Sequence, residues 1–399
     1  MKRLQLASIF VIISMISAII ASCDPIPPLH LREETDIDTD LPFVVIDLDV
    51  MWHYDLTYEF GYEAYYDWRK EWKYGWDAQD SILFGPIGYT KPKAFNLRRY
   101  YQAYDTLARH SNVLRDHVDG YQFRGRYLYG YYDFLVWNDI ISKEDVQSVV
   151  IDEESTLDSV TVTTNPTHYG SRYQAPQRLY SYNQPEELFS DEVRNVYISR
   201  NPEDYDYFDE VTQAYHKTLN MTLYPVVYIY LTQVILHHNW GKVVGTDGTA
   251  NFSNMAYSTC LNSGIAGEEA VTVHYNNRLK KDVPYDSLSS ELVDIIGGRL
   301  TTFGLREINP FNYANPLQIP ERIRKQRHYL DVNMVFGNGN DSTLVFDVTD
   351  QVNKRYRGGV ITIELDLDTI HSPGRNGGSG FDAVVEEWNE ETHEFEVKD

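Results

Sequence analysis

Cysteine is almost absent: Cys23 and Cys260 are the only two in 399 residues, so no disulfide framework can staple the chain. Basic charge is also short, with 35 Lys and Arg against 59 Asp and Glu, a formal net charge of −24. No basic cluster rises above that background, and the electrostatics exclude nucleic acid as a partner. Catalytic and cofactor motifs are missing too. Gly297, Gly298 and Gly304 in "GGRLTTFG" lack the strand, loop and Lys-Ser/Thr order of a phosphate cradle, and a turn is the plain reading. There is no nucleophile elbow, HExxH helix or calcium loop. Carboxylates at short spacing mean little in so acidic a chain. The sequence therefore offers no catalytic residues, metal ligands or cofactor, and the expectation is a protein that is not an enzyme.

Long apolar runs are confined to the N-terminus. Lys2 and Arg3 precede an apolar stretch from Leu4 to Ile20 that ends in Ala21 and Ser22. This is the pattern of a secretory signal; a membrane span is the competing reading, but the run is short and turns polar at Asp24. Ile20-Ala21-Ser22-Cys23 matches a bacterial lipobox, in which cleavage before a diacylated cysteine leaves that residue as the anchor. More than one acyl chain suffices for stable attachment. Residues 1–22 are read as the signal peptide, and 23–41, Pro-rich and then acidic, as a lipidated Cys23 with its tether. The expected location is the outer membrane, held by lipid on the cell surface. Cys260, left alone, is most simply a small buried hydrophobe.

What is abundant is aromatic: 32 Tyr, 16 Phe and 7 Trp. Such usage suits strands and contact surfaces alike. "FVVIDLDVMWHY" alternates strictly, with Val44, Ile46, Leu48, Val50 and Trp52 on one parity, and is the clearest strand. Further strands are expected in "YQFRGRYLYGYYDFLVWND", "VQSVVID", "SVTVTTN", "YLDVNMVF", "STLVFDVTDQV" and "GGVITIELDLDTI". "GNGND", Gly337 to Asp341, supplies a hairpin tip. "LNMTLYPVVYIYLTQVILHHNW" reads as a strand pair or a bent strand, because Pro225 and its β-branched and aromatic density oppose a helix. The polar segment from Arg98 to Arg115 reads as a helix or a long loop. Pattern lapses between Asn165 and Asp191, so the boundary between two units is placed there: 42–175 and 176–399. The fold class expected is all-β, with two sandwiches in tandem.

Two clusters invite a functional reading. His237 and His238 precede Trp240, but adjacent strand residues face opposite ways and cannot easily share an ion, so no metal site is assigned. Trp68, Trp72, Tyr74 and Trp76 are candidate contacts for a glycan or a partner, since exposed rings beside acids stack on sugars. Packing in a core or between domains is the plainer alternative.

Four features stand together: the lipobox at Cys23, the early strand ending in Trp52, "YGYYDFLVWND" from Tyr129 to Asp139, and the closing "GFDAVVEEW". In combination they resemble the fimbrillin-like surface lipoproteins of Bacteroides-type bacteria, in a branch related to fimbrial anchor and tip subunits. "TANFSNMAYSTCLNSG", Thr249 to Gly264, is similar to that family's central segment through Asn254, Met255 and Ala256. "LVFDVTDQV", Leu344 to Val352, resembles a late strand. Residues 60 to 120 match poorly. The resemblance implies two transthyretin-like, Greek-key sandwiches and a non-catalytic role in fimbria assembly, anchoring or adhesion. It further implies partnership with fimbrial subunits through strand donation. The alternative is a surface lipoprotein that captures host or cell-surface glycans. No arginine directly follows the first strand, and Cys23 with its tether is kept, which favours an anchoring subunit over a polymerising one.

Overall fold

The structure, a computed structural model, describes residues 43–52, 68–102, 112–127, 130–140, 147–153, 156–167, 181–211, 213–286, 290–369 and 384–385. Cys23, the signal peptide and the tether lie outside the described residues, as does most of "GFDAVVEEW".

The first sandwich is one eight-stranded sheet folded on itself. One layer holds β4 (Gln122–Tyr127), β1 (Phe43–Trp52), β10 (Ala214–Pro225) and β9 (Tyr207–Asp209); the other holds β3 (Asn112–Asp119), β2 (Ala94–Gln102), β5 (Gly130–Asn138) and β8 (Phe189–Ile198). The layers join where the end of β10 pairs with the start of β8, through Tyr224↔Ser190 and Pro225↔Phe189. Between them lie Phe95 and Leu97, Tyr132, Phe134 and Val136, Phe189, and Met221 with Leu223, all buried. Their regular spacing along each strand directs one row of side chains inward.

The second sandwich runs in the order β19 (Gly359–Asp366), β11 (Tyr228–His237), β16 (Leu292–Thr302), β15 (Ala270–Pro284), β13 (Thr249–Ala256), β17 (Tyr329–Phe336), β18 (Asp341–Asp347) and β20 (Val384–Val385). Strand β15, 15 residues long, belongs to both layers: its first half pairs with β13 and its second with β16. β12 (Val243–Gly245) adds to β17. Strand β11 is buried on both faces. Tyr230, Val234 and Leu236 enter the core of the second sandwich, whereas Ile229, Leu231 and Ile235 pack toward the first. This explains its nearly unbroken apolar run and its parallel pairing with β19.

A third, small sheet of β6 (Val149–Asp152), β7 (Thr161–Thr164) and β14 (Ser258–Cys260) covers Tyr100, Leu135 and Trp137 on the outer face of the first sandwich. The helices among the described residues are short: α1 (Trp68–Glu71), α2 (Ala78–Phe84), α3 (Glu321–Arg324) and α4 (Thr349–Lys354). No helix among the described residues is long and apolar enough to cross a membrane.

The all-β sandwich architecture is as the sequence implies, and the tip at 337–341 joins β17 to β18 with Gly339 at φ +87. Two expectations need correction. Residues 98–102 and 112–115, expected in a helix or a long loop, are strand, the end of β2 and the start of β3. "LVFDVTDQV" is a strand only to Asp347, after which Thr349 opens α4. The change of sheet falls at Val226–Val227, between β10 and β11, and β8 and β10 pair within the sheet of the first sandwich.

Candidate functional site

The first strand occupies an unusual place. β1 is central: all ten of its residues pair in parallel with β10, from Phe43↔Ala214 to Trp52↔Leu223, and six positions pair antiparallel with β4. Both neighbours come from later in the chain. Each presents a row of backbone donors and acceptors that β1 satisfies, so without β1 two facing edges would be left unpaired. Such a slot recognises any extended segment through main-chain hydrogen bonds, with side chains deciding preference.

Trp68, Trp72, Tyr74 and Trp76 are not a surface platform. Trp68, Trp72 and Tyr74 are 7, 8 and 2% exposed, and Trp76 is half-buried. The rings pack on one another, Trp72 at 5.4 Å from Tyr74 and 6.4 Å from Trp76, which in turn lies 5.6 Å from Phe84. They belong to the segment 68–89, which lies along the outer face of the second sandwich. Gln233, buried on β11, accepts hydrogen bonds from the Lys73 and Tyr74 backbone N–H groups and donates to Glu71 O and Thr362 Oγ1. At Gly297 on β16 an added Cβ would sit 2.4 Å from the Tyr74 ring, so glycine there makes room for the aromatic side chain. Gly298 and Gly304 are likewise crowded, by Asn276 O and by the Tyr228 ring. The glycines of "GGRLTTFG" are close-approach positions, and the first two lie inside β16 instead of at a turn.

The same segment carries a buried charge. Asp80 is fully buried on α2, accepts from Tyr74 Oη at 3.0 Å, and pairs with Lys280 Nζ at 2.6 Å and Arg278 Nη1 at 2.7 Å, both on β15. Asp77 caps α2 by accepting from the Gln79 and Asp80 N–H groups, and the Arg278 guanidinium holds its carboxyl well below the usual range. Burial, and then the Asp80 charge, push the Tyr74 phenol far above its ordinary value. Lys280 also sits 4.0 Å over the Tyr74 ring. Sequence reading missed Asp80, Gln233, Arg278 and Lys280. No local signal marks them, since each gains its meaning from a partner about 130 to 200 residues away.

His237 ends β11, and His238 follows at φ +52 beyond the strand. Cys260 lies half-buried on β14, and burial pushes its thiol upward, so it is a poor nucleophile. A polar cleft of about 310 Å³ lies beside α4, where Arg327 pairs with Asp347 at 2.7 Å. Gln351 in this cleft donates to Thr362 O and accepts from Thr362 N, capping the edge of β19.

Neither a family model nor a curated protein matches this sequence. Solved structures similar to the chain include a candidate adhesin from Bacteroides ovatus, 13% identical with a TM-score of 0.46 over 86% of this chain and 97% of that one. A candidate adhesin from Bacteroides thetaiotaomicron is 10% identical with a TM-score of 0.42, over 82% and 93%. The fimbrial anchor protein Mfa2 from Porphyromonas gingivalis is 10% identical with a TM-score of 0.40, over 81% and 90%.

Proposed function

We propose that the protein is a fimbrillin-like lipoprotein, attached by acylated Cys23 to the cell-surface side of the outer membrane, that works without catalysis in fimbria anchoring or adhesion. The observation that carries this reading is the position of β1, a first strand seated between β4 and β10 that completes a sheet made by later parts of the chain. A slot of this form accepts a strand from the same chain or from a neighbouring subunit. With β1 in place the slot is filled, which suits an anchoring subunit better than a polymerising one. The lipobox at Cys23 supports attachment, and the adhesins and fimbrial anchor protein named above agree with the reading without carrying it. Glycan capture through Trp68, Trp72, Tyr74 and Trp76 is disfavoured by their burial.

The experiment is to insert a protease site between Trp52 and Trp68, cut the folded chain, and add a labelled peptide with the sequence of residues 43–52. The cut chain should take up the peptide while the uncut chain should not. Equal uptake by both, or none by either, would overturn the strand-slot reading. Cys23→Ser should move the protein out of the membrane fraction.

A further inference from the structure

We infer that His238, Asp366 and Asp368 form a binding site for a divalent transition metal of the zinc class. The parallel pairing of β11 with β19 sets His237 opposite Asp366, so the two strands end together and their following turns meet. His238 Nδ1 lies 2.9 Å from Asp366 Oδ1 and 3.9 Å from Asp368 Oδ2, and ligand atoms of the three residues all fall within 4.8 Å of one another. A tetrahedral ion bound at ordinary zinc–nitrogen and zinc–oxygen lengths holds its ligands about 3.3 Å apart. That value falls between the two His–Asp separations, and bringing all three ligand atoms to it from within 4.8 Å takes side-chain movements of up to about 1.5 Å, which exposed groups can make.

Both Asp366 and Asp368 face the same ring nitrogen of His238, whose single proton can serve only one of them well. His237 differs: Glu291 meets its Nδ1 at 2.7 Å and Glu364 its Nε2 at 3.4 Å, on opposite sides of the ring. Two carboxylates on opposite nitrogens bracket an imidazole, whereas two on one nitrogen outline a chelate. The imidazole ligand favours zinc-like ions over calcium or magnesium. Lys242 competes for the site, its Nζ lying 3.5 Å from Asp368 Oδ1 and donating to Leu367 O. Asp366 Oδ1 also accepts from the Asp368 N–H at 3.0 Å, which positions the second ligand relative to the first. Trp240, 79% exposed, stacks on the His238 ring at 6.1 Å and 21°, covering one face and providing a local reporter.

Calorimetric titration of the untagged chain with zinc chloride tests the site, with tryptophan fluorescence followed in parallel. Wild type should bind one ion. His238→Ala and Asp366→Asn should each weaken binding at least about tenfold, His237→Ala should leave it unchanged, and Lys242→Gln should tighten it. Trp240→Phe should remove the fluorescence response but keep the heat. Equal binding by wild type and His238→Ala, no stoichiometric binding by wild type, or weakening by Lys242→Gln would each overturn the assignment.

Discussion

Asp80 on α2 and Lys280 on β15 meet at 2.6 Å, an ion pair that crosses from the segment after the first strand to the second sandwich, with the carboxylate wholly out of water. Removing one partner of such a pair strands the other charge, a larger loss than never having built it.

Asp80→Ala should therefore destabilise the folded protein by about 1–3 kcal/mol, because Lys280 and Arg278 lose their buried carboxylate and keep only the half-exposed Asp77. Urea denaturation is the measurement. A shift under 1 kcal/mol would mean that water reaches the pair and replaces Asp80.

Gly297→Ala should cost about 1–3 kcal/mol by overpacking against the Tyr74 ring. In the Tyr74→Ala background the same change should cost much less, since the atom it strikes is gone. A double-mutant cycle in thermal denaturation reads this coupling directly.

Trp72→Ala should lower stability by about 3–5 kcal/mol, as for other large buried rings. A variant that keeps its melting temperature but loses adhesion to cells or glycans would return Trp72 to the surface role that its burial opposes.

A half-buried carboxyl and a buried imidazole give opposite pH dependences. Burial raises the Asp191 carboxyl to about 6, so the folded state holds this proton more tightly than the unfolded chain does. From about pH 4 to about pH 6 its contribution falls as pH rises, and Asp191→Asn should remove that slope. Burial lowers the His328 imidazole to about 4, so its contribution is complete above about pH 6.5 and is lost as pH falls toward about 4. Chemical denaturation across this range, comparing wild type with Asp191→Asn and His328→Gln, separates the two slopes.

Strands with clean alternation or a diagnostic tip were readable in the sequence: β1, β19 and the β17–β18 hairpin. β2 was hidden because Arg98 and Arg99 open a polar segment with no strand alternation. In the fold Arg98 pairs with Glu153 at 2.6 Å and lies 4.5 Å over Trp137, while Arg99 pairs with Asp116 at 2.7 Å and lies 4.9 Å over Tyr127. Those partners make arginine tolerable in a buried strand, and only the tertiary fold reveals them. The aromatic group at 68–76 was visible as a cluster, yet its burial depends on Gln233 and Gly297. His237 and His238 face different carboxylates, Glu291 and Glu364 for the first and Asp366 and Asp368 for the second, so the pair does not share one site.

The small sheet over the first sandwich takes Ser258–Cys260 as its third strand, paired with Thr161–Thr163. That short piece arrives from within the second sandwich, so the first half of the polypeptide has to wait for distant sequence before its outer wall closes. A chain emerging vectorially from a translocon would leave the cover over Trp137 and Leu135 incomplete until residues 260–303 had followed. Truncation after Pro225 should accordingly yield an aggregation-prone fragment instead of a self-sufficient module.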